Sequence, residues 1–88
     1  MADSKVYVSN KLCIIERVIN PWIIFAKCVI SQAIYRIALS DEFSLDSSFI
    51  GKSLYFDGEI HEPTKQMMFA SCYDRDEKGS VVFIKSKE

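Results

Sequence analysis

The sequence predicts an α+β domain, one long helix packed on a curled antiparallel sheet in the order β-β-α-β-β-β. Three observations carry that prediction. Residues 20–39 place apolar side chains at helical spacing. Residues 53–61 alternate apolar and polar side chains at the period of a strand. Residues 66–73 and 80–85 are short apolar runs on either side of a charged tip, 74–79. The 88 residues make one domain, 1–88. A chain this short needs a rich core, and half of its side chains are hydrophobic (49%).

Taken in order, residues 5–8 (Lys-Val-Tyr-Val) alternate as a strand does, and Ser9-Asn10 can turn. Residues 11–19 read as the return strand of a hairpin because of their β-branched content. Leu12, Ile15, Val18 and Ile19 also fit a helical stripe behind a Ser9 cap, but the β-branched content favours strand. Asn20 then suits an N-cap and Pro21 the first helical position. Ile23, Ala26, Ile30, Ala33, Ile34 and Ile37 share one face of that helix, with Lys27, Ser31, Gln32, Tyr35 and Arg36 opposite. Residues 41–52 form a polar, serine-rich loop with Phe43, Leu45, Phe49 and Ile50 tucked beneath it. In 53–61, Leu54, Phe56 and Ile60 point one way while Tyr55, Asp57, Glu59 and His61 point the other. Glu62-Pro63-Thr64 ends that strand. In the last two strands Met68, Ala70 and Cys72 pair with Val82 and Ile84 toward the helix. Met67, Phe69, Tyr73, Val81 and Phe83 take the far face. One helix covers one face of a sheet, so the far face is left to close on itself, to take the loop or to serve as an interface.

The order strand, strand, helix, loop, three strands resembles in outline the cystatin-like folds, which wrap a sheet around one helix. Their Gln-Val-Val-Ala-Gly-type inhibitory hairpin motif is absent, so the resemblance implies a fold and no function.

Composition excludes some function classes. Net charge is −1, so no global field attracts nucleic acid or an anionic membrane. Charge is uneven: residues 41–62 carry Asp41, Glu42, Asp46, Asp57, Glu59 and Glu62 against Lys52 alone. The start of the chain lacks an apolar leader, and Lys27, Gln32 and Arg36 interrupt the helix, so a cytoplasmic protein without a membrane span is expected. Cys13, Cys28 and Cys72 are an odd number, widely spaced in apolar settings, and read as reduced core thiols. No cysteine or histidine pair has metal-ligand spacing, and no metal or cofactor is expected.

Three constellations bear on chemistry. Gly51-Lys52-Ser53 looks like the tail of a phosphate-binding loop, but Asp46 stands where the first glycine belongs and a strand follows. His61 could activate Cys72, yet pairing through the 63–65 turn sets His61 opposite Gln66. Asp57 and Glu59, about 7 Å apart along one strand face, could form an acid pair or simply a solvated face. With no catalytic constellation, the expected function is a non-enzymatic binding protein. It docks on another protein with a basic surface and blocks or adapts it, as immunity proteins, antitoxins and phage inhibitors do. The residues expected to carry docking are Asp41, Glu42, Asp46, Tyr55, Asp57, Glu59, Phe69 and Phe83. The alternatives are a homo-oligomeric scaffold such as a homodimer, and a single-stranded nucleic-acid binder. The latter would stack bases on Tyr7, Tyr55, Phe69, Tyr73 and Phe83, rimmed by Lys5, Arg75 and Lys85. The negative charge ranks nucleic acid below protein.

Overall fold

A computed structural model describes residues 5–84; Lys85 lies outside them. The expected long helix is absent. Among the described residues the helical segments are two 3₁₀ turns, Ser47–Phe49 and Glu62–Thr64. The rest of the ordered backbone is six strands: β1 (Lys5–Asn20), β2 (Ile23–Cys28), β3 (Ile34–Leu39), β4 (Ser53–His61), β5 (Gln66–Arg75) and β6 (Val81–Phe83). The α+β assignment and the cystatin-like outline are therefore corrected to a nearly all-β domain.

Residues 20–39 form a hairpin because two periods coexist in them. Ile24, Ala26 and Cys28 on β2, and Tyr35, Ile37 and Leu39 on β3, are buried at a spacing of two. Ile30 and Ile34, assigned to the buried helical face, are 92% and 49% exposed. Six β-branched isoleucines and valines across 20–39 favour the pleated backbone, and burial at period two decides the case. Asn20 still caps, but a turn: its Oδ1 accepts from the Trp22 and Ile23 backbone N–H groups, both at 2.9 Å. The β2–β3 turn has Gln32 in the left-handed region at φ 67. The expected hairpin of 5–8 with 11–19 is also corrected. Both runs belong to one strand, β1, bent at Asn10, whose φ is 57. One extra residue there interrupts pairing with β4 between Val8 and Lys11, as a bulge does.

The sheet order is β3-β2-β1-β4-β5-β6, and β3 also pairs with β5 in parallel. That extra pairing closes the first five strands into a barrel, with β6 on the outside edge of β5. Long β1 serves both halves, pairing β4 through its first ten residues and β2 through its last eight. This order with a parallel closing pair is the connectivity of a five-stranded Greek-key barrel of the OB type. The barrel interior holds Cys13, Ile15, Ile24, Ile37, Phe56, Ile60, Met67 and Cys72, each at most 1% exposed. Full burial of a side chain such as Phe56 contributes about 1.5–3 kcal/mol. The expected loop 41–52 plugs one end: Phe43 and Leu45 are buried and Phe49 packs on the core, whereas Ile50 is exposed. Phe43 also meets Phe83, ring centroids 6.0 Å apart.

The strand 53–61 has the bounds and inward set the sequence predicts. Gly58 is demanded by its neighbour strand. A Cβ there would meet Met67 Cγ and the Met68 carbonyl oxygen at 3.0 Å and Ala70 Cα at 3.1 Å. That crowding comes from the β5 bulge around Phe69, whose φ is 56. The same bulge corrects the facing of the last strands. Met67, Ala70 and Cys72 point inward, so Met67 and Met68 exchange the sides expected of them.

Candidate nucleic-acid interface

Cross-strand register brings residues far apart in sequence into one row. Arg17 on β1 pairs with Phe25 on β2, and Phe25 pairs with Arg36 on β3. Arg36 pairs with Gln66 across the parallel closure, Gln66 with His61 on β4, and His61 with Lys5 at the start of β1. Partners in a ladder project to the same face. Phe25 alternates with buried Ile24 and Ala26, Arg36 with buried Tyr35 and Ile37, and His61 with buried Ile60, so the row lies on the outside of the barrel. At about 4.8 Å between strands, it follows the curved surface for about 24 Å.

The chemistry of the row is cationic and aromatic. Arg17 lies over the Phe25 ring with its guanidinium carbon 5.9 Å from the centroid. Arg36 flanks the same ring from the other strand. Lys27, two residues along β2, stands between Ile14 and Ile34 on the same face. Neither β2 nor β3 contains an acidic residue, and Glu16 is the single carboxylate on β1. Among the described residues the one salt bridge is Lys65 to Glu62 at 2.8 Å. The charges of Arg17, Lys27 and Arg36 thus remain uncompensated by any ion pair within the described residues. Trp22, 48% exposed, occupies the β1–β2 turn beside Ile23.

A second polar group links β3 to the β4–β5 connection. Tyr35 donates from its hydroxyl to Glu62 at 2.9 and 3.2 Å, and Lys65 donates to the same carboxylate. Lys11 and Lys65 lie over the Tyr35 ring, 5.2 and 5.8 Å from its centroid. Burial and then the Glu62 hydrogen bond push the Tyr35 hydroxyl up to about 12. The Lys65 and Tyr35 hydrogen bonds in turn hold Glu62 below the usual carboxylate range.

None of the residues expected to dock a partner belongs to this row. Tyr55, Asp57 and Glu59 share the outer face of β4. Asp57 is occupied: its Oδ1 accepts from the Asn10 backbone N–H at 2.8 Å and the Tyr73 hydroxyl at 2.7 Å. Tyr73 stacks on Tyr55 at 5.7 Å and meets Phe83 edge-on at 5.8 Å. Arg75 covers both tyrosine rings and donates to the Asn10 side chain at 2.7 Å and the Gly79 carbonyl at 2.8 Å. Asp41 and Phe69 meet in a shallow groove with Leu39 and Met68. Asp46 caps the first 3₁₀ turn through the Ser48 N–H, and Glu42 is exposed in the turn after β3. His61 faces Gln66, away from buried Cys72, which points into the barrel.

Sequence reasoning missed Arg17, Phe25 and Arg36. The helical assignment scattered Phe25 and Arg36, and nothing local ties Arg17 to either. Reading 23–28 and 34–39 as strands would have put Phe25, Lys27, Ile34 and Arg36 on a single outward face.

Barrel and row together define a small Greek-key β-barrel carrying a basic, aromatic-centred outer track. No protein-family model, curated protein or solved structure matches this chain.

Proposed function

We propose that the protein binds single-stranded nucleic acid along the row Arg17–Phe25–Arg36–Gln66–His61–Lys5. The observation that carries this reading is Phe25 set between two arginines that no carboxylate neutralises among the described residues. A base stacks on the ring while the guanidinium groups take the flanking phosphates. Gln66 and His61 offer hydrogen bonds further along, and Lys5 a further cation. The length of the row suits a site at the low end of the roughly 4–16 nucleotides taken by single barrels of this type. Fold-level analogy points the same way, because barrels of the OB type use this strand face for oligonucleotides, but the analogy is secondary to the charges. Net charge opposes binding only at long range. Counterion release at a few phosphates is a local gain.

The test is fluorescence anisotropy with labelled single-stranded DNA and RNA, and a duplex control, across about 50–200 mM salt. The expected result is preference for single strands and an affinity that falls with salt. Wild type and the double variant Arg17→Ala/Arg36→Ala binding alike would remove the proposal.

A second reading rests on a different observation. Phe69 is 70% exposed in a left-handed backbone conformation that bulky residues seldom adopt. Met68, Tyr7 and Glu59 lie beside it in one cross-strand row. This supports docking of a protein with a basic, apolar surface on the β4–β5 face, as an inhibitor or adaptor. Phe69→Ala and Glu59→Ala separate it from the first reading, since neither residue is a member of the basic row.

A further inference from the structure

We propose that Cys13 and Cys28 are a redox modification site, closing a reversible disulfide across β1 and β2 when the protein meets a hydroperoxide. Cys28 is the thiol that reacts first. The inference is independent of the nucleic-acid reading.

Geometry comes first. Cys13 and Cys28 are direct register partners in the antiparallel β1–β2 ladder, and both are free thiols. Val29 N–H donates to the Leu12 carbonyl at 3.0 Å. That bond brackets the cysteine pair and marks it as a non-hydrogen-bonded pair. Cα atoms of such a pair lie about 4.5 Å apart with their side chains close together. A disulfide needs about 4.4–6.8 Å, so the bridge closes without moving either strand far. Cys72, the remaining thiol, has Phe56 as its register partner across β4.

The surroundings distinguish the two sulfurs. Cys28, 3% exposed, is the last residue of β2 and leads into the β2–β3 turn. Burial alone would push its thiol up. Hydrogen bonds from the Ser31 hydroxyl and the Ser31 and Ile30 N–H groups, with the charge of Lys11, outweigh burial and bring it from 9.0 down to about 7. Cys13 lies deeper in the barrel, where burial and then the neighbouring Cys28 raise it to about 12. The other titratable groups around the pair are Cys72, which interacts with Cys13, and Tyr35 with, through it, Glu62. Nucleophile and resolving thiol are thereby assigned.

The chemistry balances in two steps. The Cys28 thiolate attacks a peroxide oxygen, the S–O bond forms and the O–O bond breaks. The departing hydroxide or alkoxide takes a proton, leaving Cys28 as a sulfenic acid with its sulfur oxidised by two electrons. The Cys13 sulfur then attacks the Cys28 sulfur. The S–S bond forms, the S–O bond breaks, and the Cys13 proton leaves with the hydroxyl as water. A dithiol reverses the bridge by exchange.

The test uses the full chain, hydrogen peroxide, and a thiol-alkylating quench. Trypsin cuts after Arg17 and Lys27, so the two cysteines fall in separate peptides and a bridge between them is read directly by mass spectrometry without reduction. The expected product is a 13–28 linked peptide pair that dithiothreitol separates, with Cys72 unmodified. Cys13→Ser should stop at a sulfenic acid on Cys28, trapped by dimedone. In the native wild-type chain Cys28 should alkylate at least about tenfold faster than Cys72 at neutral pH, with a midpoint near 7. A bridge involving Cys72, over-oxidised Cys28 beside a free Cys13, or no modification until the chain unfolds would each overturn the proposal. The wild-type peptide map decides even if a serine variant fails to fold.

Discussion

The two outer faces of the barrel use the same residue types in opposite ways. On the β4–β5 face, Arg75 lies over Tyr55 and Tyr73 and spends its donors on Asn10 and Gly79. Tyr73 and Asp57 complete that network and are saturated within the fold. On the β2–β3 face, Arg17 and Arg36 flank Phe25 and meet no carboxylate among the described residues. Arginine beside an aromatic ring is therefore no sign of a site. Unspent donors are. The first face is a clasp that fixes the β1 bulge, β4 and β5 to one another, and the second is a surface whose valences are left for a ligand.

The largest effect that can break this comparison is on stability. Tyr73 is 3% exposed and its hydroxyl has two hydrogen-bond partners, Asn10 and Asp57. Tyr73→Ala should destabilise by about 3–5 kcal/mol, the range for losing a large buried aromatic. Phe25→Ala, at a half-buried position, should cost about 1 kcal/mol. Urea melts compare the two, and equal losses would mean that the β2–β3 face is also structural.

Next in size is binding. Phe25→Ala should weaken single-strand affinity by about 1–3 kcal/mol, the cost of losing one stacking platform. Arg17→Ala/Arg36→Ala should flatten the logarithmic salt dependence by about 0.7 per lost phosphate contact. Arg75→Ala should leave both quantities unchanged while lowering the melting midpoint. Anisotropy titrations at several salt concentrations read all three variants.

The clasp should also show in pH dependence. Burial and then the Asp57 hydrogen bond push Tyr73 from 10.0 up to about 12, and burial and then Glu62 do the same for Tyr35. Burial raises Cys13 and Cys72 from 9.0 to about 12. The folded chain keeps these protons where the unfolded chain releases them, so stability should fall as pH rises from 9 to 12. Cys28 has the opposite sign: its contribution is present above 9 and is lost as pH falls through about 7. Urea midpoints across the alkaline range check the direction, and Tyr73→Phe should make the fall shallower by removing one of the four groups.

These two faces were not equally legible in the sequence. Strand β4 was readable because Leu54, Phe56 and Ile60 alternate with charged or polar residues, a pattern no helix fits. Its outward Tyr55, Asp57 and Glu59 came with it. The hairpin β2–β3 was misread because Ile23, Ala26, Ile30, Ala33, Ile34 and Ile37 satisfy a helical period by coincidence. Its turn, at Ser31 and Gln32, also lacks the glycine or proline that punctuates a chain. The bulges at Asn10 and Phe69 shift facing by one residue and leave no local signal. The basic row was out of reach for a further reason. Its six members come from five strands, joined by pairings that include a parallel closure between segments some thirty residues apart. The Cys13–Cys28 contact was hidden in the same way, since it exists only because β1 and β2 are neighbours.

The smallest expected effect sharpens where the row ends. Lys27 is on the outer face of β2, two residues from Phe25, with Ile14 and Ile34 as its register partners. Successive outward residues on one strand are about 6.6–7 Å apart. A phosphate contacting Arg17 or Arg36 is therefore near the reach of Lys27's flexible ammonium without being held by it. Lys is a point charge with no fixed fork, so its contribution is electrostatic and easily screened. Lys27→Ala should lower affinity about two- to threefold at low salt, reduce the salt slope by no more than about 0.7, and leave the preference for single strands intact. A loss as large as that of Phe25→Ala would move the centre of the site toward the β2–β3 turn. No change at any salt concentration would confine the track to the row through Phe25.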